Sequence, residues 1–428
     1  MVYRRFSCPY YVAVMLILFC LSTAVAQETE NSESDEVITE KIADKSLWEK
    51  IVDFPGDVIA LPPELLLKTI EKTIVVVDKT KIVPKVVDRL TADSGLFGLR
   101  PTYSGRTGAG AYYFHNSLFN KTSRLKFTAT SSFDFKRRLV ELKQSNFSFG
   151  NTMFNAGYLL RYSSLDGEYF FGLGPNTSID DEYVFGYGDR LAEFNIGAKV
   201  NEFIDLDITS GFAFNKTWRA KNSDHQTVHE LYTEETLPGV GNHAKLLHTG
   251  LTLDIEKIDH RGHPTQGNEL KLYTALYNTI DDKAYGFWKA AFDYTWYMHL
   301  FYDRLLSLRF AAETTEPLDG KTIPFYYLSE LGEQETIRGY DRGRFRGRDM
   351  MLGSIEYRYP VWRQMSIYLF TDAGKVMHAI EDEFNADDLQ YGYGAGLRVF
   401  NNGGLILKTE VGISDEKTRF YFTLNKGL

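Results

Sequence analysis

Hydrophobic residues recur at every second position along most of this chain. Between Arg124 and Phe135, the residues Leu125, Phe127, Ala129, Ser131, Phe133 and Phe135 interleave with Arg124, Lys126, Thr128, Thr130, Ser132 and Asp134. The same alternation runs through Ile204–Phe214, Leu247–Glu256 and Leu389–Val399, the last with three glycines among its polar positions. Side chains of a strand point alternately to its two faces, so each segment predicts a strand with one apolar and one polar face. A soluble sandwich would pack the apolar faces together and wet the polar ones. A membrane barrel turns the apolar face to lipid and the polar face to a lumen. Strands of about 9–13 residues suit a tilted crossing of the hydrocarbon layer, and charged residues at mid-strand suit a wet lumen. The barrel is the expected fold.

Counting back from the C-terminus, segments 418–425, 403–413, 389–399, 367–372, 349–359, 304–313, 285–300, 268–278, 244–258, 204–219, 182–200, 150–162, 136–147, 123–135, 108–115 and 96–103 predict strands. The expected class is all-β, a transmembrane antiparallel barrel of about 16 strands, an even number as single-chain bacterial barrels have. Short turns (201–203, 360–364, 400–402) alternate with long loops (163–181, 220–242, 314–347, 373–388), which assigns the turns to the periplasmic side and the loops to the outside.

The front of the chain reads differently. Arg4 and Arg5, the apolar run Val12–Leu21 and Ala24-Val25-Ala26 form a three-part signal peptide over residues 1–26. Residues 27–95 are expected to be a separate periplasmic segment: acidic and disordered over 28–36, then helical between 46 and 90. There Pro62-Pro63 precedes Leu67, Ile70, Ile74 and Val77 at helical spacing. These helices are expected to lead into the barrel (96–428), or to act as a plug or docking element at its mouth.

Composition narrows the function. Cys8 and Cys20 both fall in the leader, which excludes a disulfide scaffold. A net charge of −9 excludes a nucleic-acid binder driven by net charge. With 30 Phe, 27 Tyr and 5 Trp the chain is too aromatic for a disordered protein. His243, His248, His260 and His263 have no accompanying Cys or carboxylate set, so no metal site is expected. Asp224-His225 is the single candidate dyad. Neither a nucleophile elbow nor a phosphate-binding glycine motif occurs, so no catalytic residue, enzyme activity or cofactor is expected.

The longest loop and the strands after it carry the distinctive motifs. LGEQETIRGYDRGRFRGRDMMLGSIEYRYP (331–360) is followed by IYLFTDAGKV (367–376). These resemble the BamA/TamA superfamily of outer-membrane assembly and translocation barrels, also called bacterial surface antigens. Ile337-Arg338-Gly339-Tyr340 is similar to that family's Arg-Gly-aromatic loop motif. Ser354-Ile355-Glu356 and Phe370-Thr371-Asp372-Ala373-Gly374 are similar to its two following strand motifs, and GLGPNTSIDDE (172–182) and DHRGHPTQGN (259–268) to weaker signatures. The resemblance covers residues 95–428. It implies a Gram-negative outer-membrane location, contact with the bilayer and surface lipids, and unfolded outer-membrane protein clients, or a periplasmic partner reached through residues 46–90. Residues 27–95 are barely long enough for one POTRA module and lack its strands, so a member without a POTRA array is expected. The C-terminus ends in Leu428 instead of the family's Phe, leaving Tyr421, Phe422 and Leu424 for recognition by an assembly machinery.

Within these motifs, Arg338 sits in a loop too long to be a simple connection. If Glu356 and Asp372 both face the lumen, an inward-folded loop can place Arg338 between them as a latch. Gly339 would permit the tight turn and Tyr340 would pack on the inner wall. The alternative is an exposed basic loop, with Arg338, Arg342, Arg344, Arg346 and Arg348 contacting lipid phosphates. A lateral seam is expected between the first strand, with Leu99 and Tyr103, and the last, with Phe420 and Phe422. Its weakly paired edges could accept an incoming strand. The competing function is a passive pore or structural surface antigen with no client.

Overall fold

The computed structural model describes residue 92 and residues 95–424, apart from 151, 222–224, 282–283, 363–364, 384 and 402–403. The expected signal peptide, acidic stretch and helices of residues 1–90 lie outside the described residues, as does Asp224.

The alternating segments form β1 (Phe97–Ser104), β2 (Gly108–Asn116), β3 (Arg124–Ser131), β4 (Arg137–Ser148), β5 (Phe154–Phe170), β6 (Tyr183–Lys199), β7 (Ile204–Trp218), β8 (His243–Ile258), β9 (Gly267–Thr279), β10 (Gly286–His299) and β11 (Leu305–Pro317). After a short hairpin of β12 (Ser329–Leu331) and β13 (Phe345–Gly347) come β14 (Asp349–Trp362), β15 (Met365–Met377), β16 (Gln390–Asn401), β17 (Gly404–Ile413) and β18 (Thr418–Leu424). Apart from that hairpin, 16 strands make one antiparallel sheet in which each is hydrogen-bonded to its sequence neighbours, β14 following β11. Pairing between sequence neighbours throughout is the connectivity of an up-and-down barrel.

Several strand ends differ from the sequence expectation, and three of them have a visible local reason or consequence. The segment expected over 123–135 stops at Ser131. Residues 132–136 turn instead, with the Asp134 carboxylate accepting from the Ser132 hydroxyl and the Lys136 amide. Phe133 and Phe135 therefore sit at an exposed tip. The strand expected over 150–162 runs on to Phe170, across a register irregularity where Gly167 takes a positive φ. The strand expected to end at Asp372 continues through Ala373-Gly374, a pair that reads as a turn, to Met377.

The faces are inverted relative to a soluble protein. Leu160, Phe194, Ile208, Leu251 and Phe310 remain 42–54% exposed on the outer wall. The inner wall buries Glu168, Asp189, Asn215, Glu356 and Glu410. An outward apolar belt around a charged interior is the arrangement of a barrel in lipid.

The two mouths also differ. At one end the connections are short turns such as 149–153, 200–203 and 300–304; at the other lie the long connections 171–182, 219–242 and 318–348. The long connections pack on one another. Val228 of α1 (Val228–Leu231), Leu237 and Val240 join Phe325 and the strand-end residues Phe170 and Phe185 in a buried cluster. Burying side chains of this size contributes about 1.5–3 kcal/mol each, so these loops form a packed roof.

Candidate functional site

The connection 318–348 turns into the lumen. Its hairpin β12–β13 places Leu331, Ile337, Tyr340 and Phe345 against Ala311, Leu352 and Val376 of the wall, all buried together. This apolar anchor carries Arg338 to the inner wall. There the guanidinium grips Asp372 of β15 in a two-pronged contact, Nε to Oδ2 at 2.7 Å and Nη2 to Oδ1 at 2.6 Å. The Arg338 backbone amide donates to the same carboxylate at 3.1 Å, and the Ser354 hydroxyl of β14 donates to it as well. Nη1 reaches Glu410 of β17 at 2.8 Å. The Phe370 ring lies under the guanidinium, 3.4 Å from ring centroid to Cζ. Charge-assisted pairing of this fork geometry with ring stacking suits Arg and not Lys.

Burial alone would lower the pKa of Arg338. The hydrogen bonds and charge of Asp372, with the charges of Glu410 and Glu356, outweigh it and raise the pKa above its ordinary value, so the side chain stays charged.

Glu356 does face the lumen, but it is a secondary partner, 3.7 Å from Arg338. Its main partner is Arg398 of β16, which takes both carboxylate oxygens at 2.7 and 2.9 Å. Asp372 sits inside β15, paired across to Ser354 and Gly392, and not at a strand end. Glu410 was legible in the alternation of β17, where Lys408, Glu410 and Gly412 share the polar face, but no motif marked it. Glycines of β16 and β17 have a use too. A Cβ at Gly392 would strike the Arg338 carbonyl, and one at Gly412 would lie 2.7 Å from the Gly339 amide nitrogen. Gly339 itself has φ +106, a conformation that favours glycine.

The same loop holds the last strand from inside. The Gly339 amide donates to the Tyr421 hydroxyl at 2.9 Å, and Thr423 donates to Gln334 at 2.8 Å. Asp341 accepts from Arg419 and, at 2.7 Å, from Lys417. The Tyr340 hydroxyl donates to Asp415 at 2.6 Å, and its ring packs on Phe345. The remaining arginines of the loop all face carboxylates: Arg342 with Glu333, Arg344 with Glu416, Arg346 with Glu330 and Arg348 with Glu316. Arg344 and Arg346 are buried. That arrangement contradicts the exposed basic loop.

At the seam, β1 and β18 lie side by side, with Tyr103 and Phe422 in edge-to-face contact at 6.0 Å. Every other neighbouring pair has a hydrogen-bond ladder; among the described residues β1 and β18 have none. Pro101 within β1 lacks an N–H and is a residue of strand edges. Leu99 and Phe420 face outward and are exposed, Phe420 at 79%.

The histidines do not converge. His248 pairs with Glu193, His243 with Asp281, and His263 stacks on Phe400. Among the described residues no group of His, Cys, Asp and Glu is placed to hold a metal.

A model of the Omp85 superfamily domain matches residues 103–426, nearly the whole barrel. The chain belongs to the Omp85 superfamily. It is thus an outer-membrane β-barrel of that superfamily. Among solved structures it is similar to BamA from Haemophilus ducreyi lacking POTRA domains 1–3, with a TM-score of 0.58 at 15% identity, covering 76% of this chain and 69% of that one. It also matches CdiB from Acinetobacter baumannii (TM-score 0.48, 14% identity, 77% and 59% covered) and CdiB from Escherichia coli (0.49, 9%, 78% and 68%). No curated protein matches it by sequence. At these identities the likeness to BamA concerns the fold, and the site of this Omp85 barrel rests on its own geometry.

Proposed function

We propose that this Omp85 barrel assists insertion or translocation of outer-membrane proteins through the seam between β1 and β18. The inward-folded loop acts as the latch, with Arg338 held by Asp372 and Glu410 and more loosely by Glu356. Gly339 and Tyr340 complete it. One observation carries this reading: the final strand is bonded along its lumen face to the loop, through Arg419, Tyr421 and Thr423, while its outer edge has no ladder to β1. Unpaired strand edges are templates for β-augmentation, so an incoming client strand can add there. Residues 46–90 are the proposed contact for a periplasmic partner.

A passive pore is the competing function, and the packed roof over the long-loop mouth favours client handling over it. The test is a barrel carrying Tyr103→Cys and Phe422→Cys, the pair whose rings touch across the seam. Oxidation should abolish crosslinking of an unfolded outer-membrane protein at the seam, and reduction should restore it. Undiminished client insertion by the oxidised barrel would overturn the seam mechanism. A steady ion current through the unaltered protein in a planar bilayer would favour the pore.

A further inference from the structure

The loop arginines are all matched by carboxylates, but four cations on the outer wall are not. Arg190 of β6 and Lys245 of β8 stand on one cross-strand row, Val140–Tyr162–Arg190–Phe214–Lys245. Arg138 of β4 and Lys216 of β7 stand on the next row toward the long loops, Arg138–Ser164–Gly188–Lys216–His243. Strands lie about 4.8 Å apart and alternate residues about 6.8 Å along a strand, so the Arg190, Lys216 and Lys245 backbones fall within roughly 10 Å of one another. None of the four has an ion pair among the described residues. Arg138 donates to the Phe135 carbonyl, and Arg190 lies over the rings of Phe214 and Tyr162 at 5.4 and 5.9 Å.

Depth along the wall tells what such cations meet. Directly below them, toward the membrane centre, runs the apolar row Leu142–Leu160–Ala192–Phe212–Leu247. Above them Trp218 lies against Gly186 and Gly188, in the place of an interfacial aromatic. Between the two is a groove of about 570 Å³ whose lining includes Leu160, Tyr162, Arg190, Phe212, Phe214 and Lys245. Its floor is apolar and its upper edge cationic.

We propose that this groove binds a phosphate-bearing lipid of the outer leaflet. Arg190 and Lys245 hold the phosphate, Arg138 and Lys216 widen the cationic rim, and the acyl chains lie on Leu160 and Phe212. Four unpaired cations arranged at the headgroup boundary, over a surface shaped for chains, complement that chemistry on both counts.

The test uses the full-length protein in phosphatidylcholine nanodiscs, with and without a bis-phosphorylated lipid A, and counts retained lipid by native mass spectrometry. Lipid A should be enriched around the protein, and Arg190→Gln with Lys245→Gln should weaken its binding by at least about tenfold. Lys121→Gln with Lys199→Gln, both at the short-turn end, should change it less than about twofold. Equal loss in both pairs, or no preference over phosphatidylcholine, would overturn the proposal. Inorganic phosphate that competes as tightly as lipid A would reassign the groove to a free anion. Should the variant fold poorly, a photoreactive acyl chain on lipid A in the unaltered protein should label Tyr162 and Phe212; labelling spread evenly around the barrel would count against the site.

Discussion

Arg338 is saturated on both edges of its guanidinium and on one face, by Asp372, Glu410 and Phe370. Replacing it with alanine leaves two buried carboxylates facing each other, a loss of about 3–5 kcal/mol. The Arg338→Ala barrel should lose its compact, heat-modifiable migration at a lower temperature than the unaltered protein; identical profiles would exclude a latch. Arg338→Lys keeps the charge but not the fork or the ring stacking, so it should fall between the two. The motifs of the sequence pointed to Arg338 and Asp372, because both lie in recognisable runs. Glu410 lies in an ordinary alternating strand, and its part depends on how far β17 is from β15 around the wall.

At the scale of elements, the loop fits because β16 and β17 present glycines where it lies. A side chain at Gly392 would collide with the Arg338 carbonyl. Gly392→Val should therefore expel the loop while leaving the strand ladder intact. Trypsin should then cleave after Arg342 and Arg344, which Glu333 and Glu416 now hold. Unchanged protease resistance with a folded barrel would mean that the loop tolerates the side chain and that the close approach is incidental. The polar-face glycines of β16 were visible as a break in the pattern. Their reason was not, since it lies in a loop about fifty residues upstream.

For the molecule as a whole, both mouths of the lumen are restricted. At the long-loop end the connections pack on one another over the strand ends. At the other end the turn 259–266 leans inward across the wall: His263 stacks on Phe400 of β16 at 3.6 Å, and Arg358 of β14 donates to the Pro264 carbonyl at 3.2 Å. Burial, then the charges of Arg358 and Arg398, hold His263 down at about 4, although Asp259 pulls the other way and His260 adds to the lowering. Because the folded value lies below the ordinary 6.5, this contact is fully present above about pH 6.5 and is lost as pH falls toward about 4. Burial would raise Asp259, but bonds from the Thr265 hydroxyl and the amides of Thr265, Gln266 and His260 hold it at about 2, so the turn keeps its own shape over that window. Amide exchange across 259–266, corrected for intrinsic pH dependence, should rise between pH 6.5 and 4. His263→Phe should abolish the rise; a rise that persists in the variant would place its origin elsewhere.

The sequence by itself determined the sheet. A period of two with an apolar outer set, punctuated by turns of alternating length, permits few closed arrangements, and it located nearly every strand because pairing is between sequence neighbours. It also marked the loop and two of the carboxylates that meet Arg338, Asp372 closely and Glu356 at longer range. Tertiary structure alone decided that Glu410 and Arg398 join the site, that the loop arginines face inward, and that unpaired cations gather on the outside of β4–β8. Those facts depend on which residues share a height on a curved wall, and a one-dimensional pattern does not contain that distance.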